Sequence, residues 1–271
     1  MKQKFRILSA FFMMLFLVVL SHNAVDCVQA AEVNEGWDET HSVYYVKEND
    51  KLVKADGVVK VEAEYLYFVN GVFQDTYTGL KKIKDEDTFE VYYIESGKAV
   101  LNTWKTVKEK KGNFKYYFGK NGKAYKAGSI SGMRTTKVKI KAVNGTQYGF
   151  DENGHCVKGL WSTDKKLVYF NKKTGVYDKK KSKVYQKAVK TGKKSVNMPK
   201  NLKKTFGKPK KIKTVSSCNP FDIKQGTYIT NSTLKRYKGY NYIYQNIVIS
   251  VTKNKNTGVY HMDGAGPIDL N

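Results

Sequence analysis

The chain has 271 residues, 27% of them charged, and a formal charge of +25 that is almost wholly lysine, since Arg6, Arg134 and Arg236 are its only arginines. Lysine is a hydrated point charge, whereas bidentate reading of base edges favours arginine, so the excess argues for diffuse attraction to polyanions and against sequence-specific nucleic-acid recognition. Beyond the first thirty residues only Cys156 and Cys218 occur, which is not a disulfide framework and leaves open whether the two pair.

Lys2, Lys4 and Arg6 precede an almost uncharged apolar run over residues 7–20, and Val28-Gln29-Ala30 supplies a small-residue exit. The run is too short to span a bilayer, so residues 1–30 are expected to be a secretory signal peptide cleaved near Ala30. Asp26 before Cys27 does not suit a lipid-attachment motif. The leader takes three basic residues and one acid with it, so +25 becomes +23. No later stretch is apolar enough for a membrane helix, which makes the expected product secreted or wall-held.

Residues 31–182 repeat one pattern: an aromatic strand, a turn, then a second short strand. The copies are Tyr65-Leu66-Tyr67-Phe68 before Asn70-Gly71, Tyr92-Tyr93-Ile94 before Ser96-Gly97, and Tyr116-Tyr117-Phe118 before Asn121-Gly122. Tyr148-Gly149-Phe150 before Asn153-Gly154 and Val168-Tyr169-Phe170 before Thr174-Gly175 follow, with a degenerate first copy at Tyr44-Tyr45 and Asn49-Asp50. Aromatic and β-branched residues suit a half-buried pleated surface, and Asn-Gly permits the positive φ of a tight turn. Gly79-Leu80 and Gly159-Leu160 read as the ends of the second strands, and residues 137–143 as an extra strand inside an insertion. One hairpin is marginal in water, so the copies are expected to stack into a β-solenoid-like array. The fold class expected is mainly β, hairpin repeats followed by a small α+β domain.

The stretches "YYFGKNGKAYKAG", "YGFDENGHCVKGLW" and "VYFNKKTGVY" resemble the cell-wall-binding repeat of choline- and glucan-binding surface proteins of Gram-positive bacteria. That resemblance implies ligands held against aromatics shared by neighbouring hairpins, and a wall polymer, teichoic acid or glucan, as partner. It points to Trp104, Tyr116, Tyr117, Tyr148, Trp161 and Tyr169. Family copies commonly carry two tryptophans per site, whereas this chain has only Trp37, Trp104 and Trp161. A quaternary ammonium needs a cage of several aromatic faces, so sugar stacking or attraction to wall phosphates fits better than choline capture. For any one tyrosine the plainer reading is that it builds the core.

Between residues 165 and 213 stand 19 lysines and one acid, Asp178. The belt reads either as a landing surface for polyanions or as a solvated linker and helix face, with "DKKKSK" as the connection between domains. Residues 183–271 are expected to form one helix (195–206, stripe Val196, Met198, Leu202, Phe206) on an antiparallel sheet with strands near 211–216, 226–229, 240–251 and 258–262. "MPKNLKKTFGKPK" faintly resembles small helix-plus-sheet domains of bacterial envelope and inhibitor proteins, which leaves a protein-binding role open.

Chemistry is sparse. Asp151, His155 and Cys156 are close in sequence, but adjacent strand residues point to opposite faces, so no metal site is expected, and His155 and Cys156 read as ordinary second-strand positions. Cys218, His261 and Asp263 could form a thiol-hydrolase group, yet "SSCNPF" precedes a predicted strand rather than opening a helix that would activate the thiol. The reading is a non-catalytic protein without cofactor; a wall hydrolase is the alternative.

Overall fold

The computed structural model describes residues 34–85, 88–128, 135–217, 219–225 and 227–269. The expected leader, Arg134 and Cys218 lie outside them. The chain falls into two units, one of residues 1–55 with 70–72, the other of residues 56–69 with 73–271.

In the smaller unit β1 (Gly36–Trp37), β2 (Tyr44–Glu48) and β3 (Lys51–Lys54) form an antiparallel sheet. Asn49 and Asp50 both take positive φ, 49° and 61°, which is the turn expected for the degenerate first copy. Trp37 meets Tyr44 edge to face at 5.2 Å, and the Gly71 N–H donates to the Ala55 carbonyl.

The larger unit carries β4 (Gly57–Val61) with β5 (Glu64–Val69), then β7 (Gly79–Asp85) with β8 (Thr88–Glu95), after the short β6 (Val72–Phe73). The short β9 (Lys98–Ala99) joins β8 to β5. Three hairpins follow: β10 (Thr103–Glu109) with β11 (Gly112–Phe118), β12 (Lys139–Val143) with β13 (Thr146–Phe150), and β14 (Gly159–Ser162) with β15 (Leu167–Phe170). The phase of the repeat therefore differs from the expected one. Each aromatic strand pairs with the strand before it, and Gly79-Leu80 and Gly159-Leu160 begin hairpins rather than end them. After each turn the chain makes only a stub: β9, or the single bridges Phe118–Ala124, Phe150–Cys156 and Phe170–Tyr177. Likewise β12 is the regular first arm of its hairpin, not an insertion. An aromatic strand of five to eight residues needs a partner of like length to satisfy its backbone, and a stub after the turn cannot supply one.

Stacking follows one rule. A Cβ placed on Gly122 would lie 3.0 Å from Ala99 Cβ, one on Gly154 3.3 Å from Ala124 Cβ, and one on Gly175 3.2 Å from Cys156 Sγ. Each turn glycine thus seats on the residue two places after the previous turn glycine. Strand alternation feeds the two faces of each hairpin. Tyr116 and Phe118 pack with Val91 in the preceding interface, while Tyr117 packs with Phe150 in the next. The last position of the five later runs, Phe68, Ile94, Phe118, Phe150 and Phe170, is fully buried.

The rest is α+β: a sheet in the order β16 (Lys194–Ser195), β20 (Tyr260–Gly266), β19 (Val248–Asn254), β18 (Tyr237–Ile243), β17 (Lys211–Val215), with helices α1 (Lys179–Ala188), α2 (Met198–Phe206) and α3 (Asn231–Leu234). The mainly β class with a small α+β part is the observed one, and its helical content exceeds the single helix expected. "DKKKSK" is not a bare connection but opens α1, whose first turn Asp178 caps by accepting from the Lys181 N–H at 2.8 Å. Pro199 sits in the first turn of α2, so the helix starts at Met198 and leaves Val196 outside it and exposed. Residues 227–229 are not strand, and Tyr228 is exposed. The apolar run near 240–251 is two strands turned at Gln245-Asn246. Leu167 of the last hairpin shares one core with Met198, Leu202, Tyr242, Ile249 and Met262.

Candidate functional site

The interface between hairpins β10–β11 and β12–β13 holds an aromatic cluster. Trp104 faces Tyr117 across its own hairpin, with ring centroids 5.2 Å apart. From the next hairpin Tyr148 approaches it at 5.0 Å and Phe150 stacks at 6.0 Å. Tyr125, on the stub between them, closes the group at 5.0 Å from Tyr117 and 5.7 Å from Phe150. Trp104, Tyr125 and Tyr148 stay partly exposed, so rings from neighbouring copies reach solvent together. Trp104, Tyr117 and Tyr148, expected from sequence to act together, are brought together; Tyr125 was missed, although "NGKAYKAG" places an aromatic just past the turn. Tyr116 lies apart, 0% exposed, its hydroxyl donating to the Glu109 carboxylate. Period-two alternation turns it away from Tyr117. Trp161 and Tyr169 belong to the last hairpin and line a different cavity.

Lysine ammonium groups already sit on many ring faces. Lys115 Nζ is 4.2 Å from the Trp104 ring, Lys141 Nζ 5.6 Å from Tyr125, Lys105 Nζ 5.6 Å from Tyr93 and Lys181 Nζ 4.2 Å from Tyr169. Lys81 lies over both Tyr67 and Tyr77, and its hydrogen bond to Tyr67 holds its pKa above the ordinary lysine value. A cationic ligand would have to displace these groups, whereas an anionic polymer would pair with them.

His155 is more than an ordinary second-strand residue. Its ring stacks on Phe114 at 3.9 Å, and its two nitrogens lie 3.1 Å from Asp151 Oδ2 and 3.0 Å from Glu109 Oε1. Burial pulls the imidazole pKa down, yet the hydrogen bonds and charges of Asp151 and Glu109 outweigh it and hold the pKa above the usual histidine value. Asp151 was visible four residues away; Glu109, 46 residues earlier, was not. Cys156 is a free thiol beneath Gly175, and burial pushes its pKa up to about 11, so it is a poor nucleophile. Among the described residues no three His, Cys, Asp or Glu side chains are grouped to hold a metal, and no helix is long and apolar enough to cross a membrane.

A second polar group lies on the C-terminal sheet. His261 Nδ1 is 2.9 Å from Asp263 Oδ1, and Asp263 also accepts from Asn219 Nδ2 and Thr252 Oγ1, each at 2.8 Å. Thr252 and Ser217 hydroxyls meet at 2.7 Å, and Phe221 stacks on the His261 ring at 4.9 Å.

The chain matches no protein-family profile and no curated protein. Solved structures similar to it include choline binding protein F of Streptococcus pneumoniae, 20% identical over 54% of this chain and 43% of that one, with a TM-score of 0.32. Others are the modular Cpl-1 endolysin, bound to a peptidoglycan analogue (17% identity, 37% and 25% covered, TM-score 0.27), and alternansucrase of Leuconostoc mesenteroides (16%, 69% and 12%, 0.25). The chain spans less than half the length of each.

Proposed function

We propose that the chain is a secreted, non-catalytic protein whose aromatic hairpin repeats hold a wall polymer, teichoic acid or glucan, with lysines supplying attraction to its anionic groups. The observation that carries this reading is the Trp104 cluster, where rings of two neighbouring hairpins and the stub between them converge at 5.0–6.0 Å with Lys115 on a ring face. Repeats that resemble wall-binding ones in sequence thus support the same placement of ligand, against rings shared by adjacent copies. The lysines over those rings favour sugar or polyol units bearing negative charge over choline.

Co-sedimentation of residues 31–271 with purified Gram-positive walls, with and without teichoic acid and across a salt series, tests it. Trp104→Ala is expected to weaken binding at least about tenfold, as loss of a central aromatic anchor does. Loss of binding with salt would implicate lysines, and competition by free sugar the rings. No sedimentation at low salt would sink the proposal.

The His261–Asp263 pair favours a second reading, a thiol hydrolase, because Ser217 and Asn219 on either side of Cys218 both reach this group. A Cys218→Ala chain that keeps every activity measurable on wall removes it.

A further inference from the structure

The larger unit contains a cavity of about 600 Å³ where the last hairpin meets α1, α2 and the turn after β18. Its wall is a chain of touching rings: Tyr169 on Tyr185 at 5.7 Å, Tyr185 on Phe206 at 5.4 Å, Phe206 on Tyr244 at 5.6 Å. Trp161 completes it, its ring oriented by Nε1 donating to the Lys158 carbonyl at 2.8 Å. Lys158, Lys172, Lys208 and Lys210 stand around the cavity, all exposed, and among the described residues no aspartate or glutamate lines it. Four ammonium groups without a carboxylate among them create a local positive potential that repels a cation and draws an anion.

Tyr244 supplies the independent sign of a ligand. It is 7% exposed, lines the cavity, and its buried hydroxyl has no hydrogen-bond partner among the described residues. Buried polar groups are almost always paired, and leaving one unpaired is costly. Burial pushes its pKa up to about 12, so at neutral pH it remains a donor.

We infer that this cavity is a second binding site, separate from the Trp104 cluster, and that it takes a phosphorylated sugar or polyol. The carbon skeleton lies against Trp161 and the tyrosine–phenylalanine wall. The phosphate pairs with the rim lysines, and the Tyr244 hydroxyl donates to an oxygen of the ligand. Phosphate suits the site because a monoester's charge approaches two, a diester stays singly charged at every working pH, and lysine binds either as a point charge.

Calorimetric titration of residues 31–271 with glucose 6-phosphate, a short glycerol phosphate oligomer, glucuronate and glucose is the test, at about 50 mM salt where screening is modest. The two phosphorylated probes are expected to bind and the other two to bind far more weakly. Lys208→Gln with Lys210→Gln should cost at least tenfold in affinity, and Tyr244→Phe about tenfold, the loss of one hydrogen bond to a charged group. Tighter binding of the oligomer would assign the phosphate to a polymer and tighter binding of the monomer to a free sugar phosphate; both uphold the site. The same titrations on the Trp104→Ala chain remove any heat from the Trp104 rings, and the heat that remains should still fall with the lysine and Tyr244→Phe changes, so failure here is separable from failure of the wall-binding reading. Absence of heat with both phosphorylated probes, equal affinity for glucuronate, or affinity unaffected by the lysine and Tyr244→Phe variants would each overturn it.

Discussion

His155 lies between two carboxylates and against the Phe114 ring, so its protonation is tied to folding. Its folded pKa is raised above 6.5, so its stabilisation is complete below that value and fades as pH climbs through the raised one. Glu109 works in the opposite sense. Burial pushes its pKa up, but hydrogen bonds from Tyr116 and His155 outweigh this and hold it below 4.5, so its contribution is complete above that pH and is lost as acid approaches the lowered value. Together they place this network's maximum between about pH 4.5 and 6.5. The melting temperature of the natural chain should therefore fall between pH 6.5 and 8.5 more than that of His155→Gln, which should be less stable at pH 6 by about 1–3 kcal/mol. Parallel melting curves for the two chains across that range would refute the link. Gly149 makes a different argument. A Cβ there would sit 2.3 Å from Phe170 Cζ, whose ring is fully buried, so Gly149→Ala should destabilise by about 1–3 kcal/mol, measured by denaturant midpoint, through overpacking.

At the scale of elements, the turns and the aromatic strands were legible because both signals are local. Asn70, Ser96 and Asn144 hold the positive φ that Asn-Gly and Ser-Gly pairs announce, and the last position of each of the five runs is fully buried. The choice of partner strand was not legible, since Tyr116 pairs with Lys105 through backbone groups that every residue carries. The Trp104 cluster was half legible. Trp104, Tyr117 and Tyr148 were read from the repeat, but Tyr116 was grouped with them although alternation sends neighbouring residues to opposite faces. The cavity by Tyr244 was out of reach in its far wall, because Phe206, Lys208 and Tyr244 meet Trp161 only through tertiary packing. The lysine belt is likewise dispersed by folding: Lys181 lies over Tyr169, Lys208 and Lys210 stand at a cavity, and Lys211 and Lys213 occupy an edge strand.

Within the larger unit as a whole, the last hairpin and the α+β part are one cooperative piece. Leu167 is buried among Met198, Leu202 and Ile249, the Tyr169 N–H donates to Ser182 Oγ at 2.8 Å, and the Thr136 N–H donates to the Ile268 carbonyl at 2.9 Å. A chain truncated after residue 177 should thus lose the last hairpin's packing and bind a hydrophobic dye, whereas independent melting with an unchanged midpoint for the hairpins would contradict the shared core. The seat beneath each turn glycine has a bearing on the ancestry of the array. Because Ala99, Ala124 and Cys156 offer the following glycine the same small platform, a copy duplicated in the gene arrives with a base to stand on and a platform for its successor. The seat takes a bulky residue too, as Phe73 does below Gly97, so lengthening of such an array is limited by keeping a glycine at each turn rather than by the volume of the side chain beneath it.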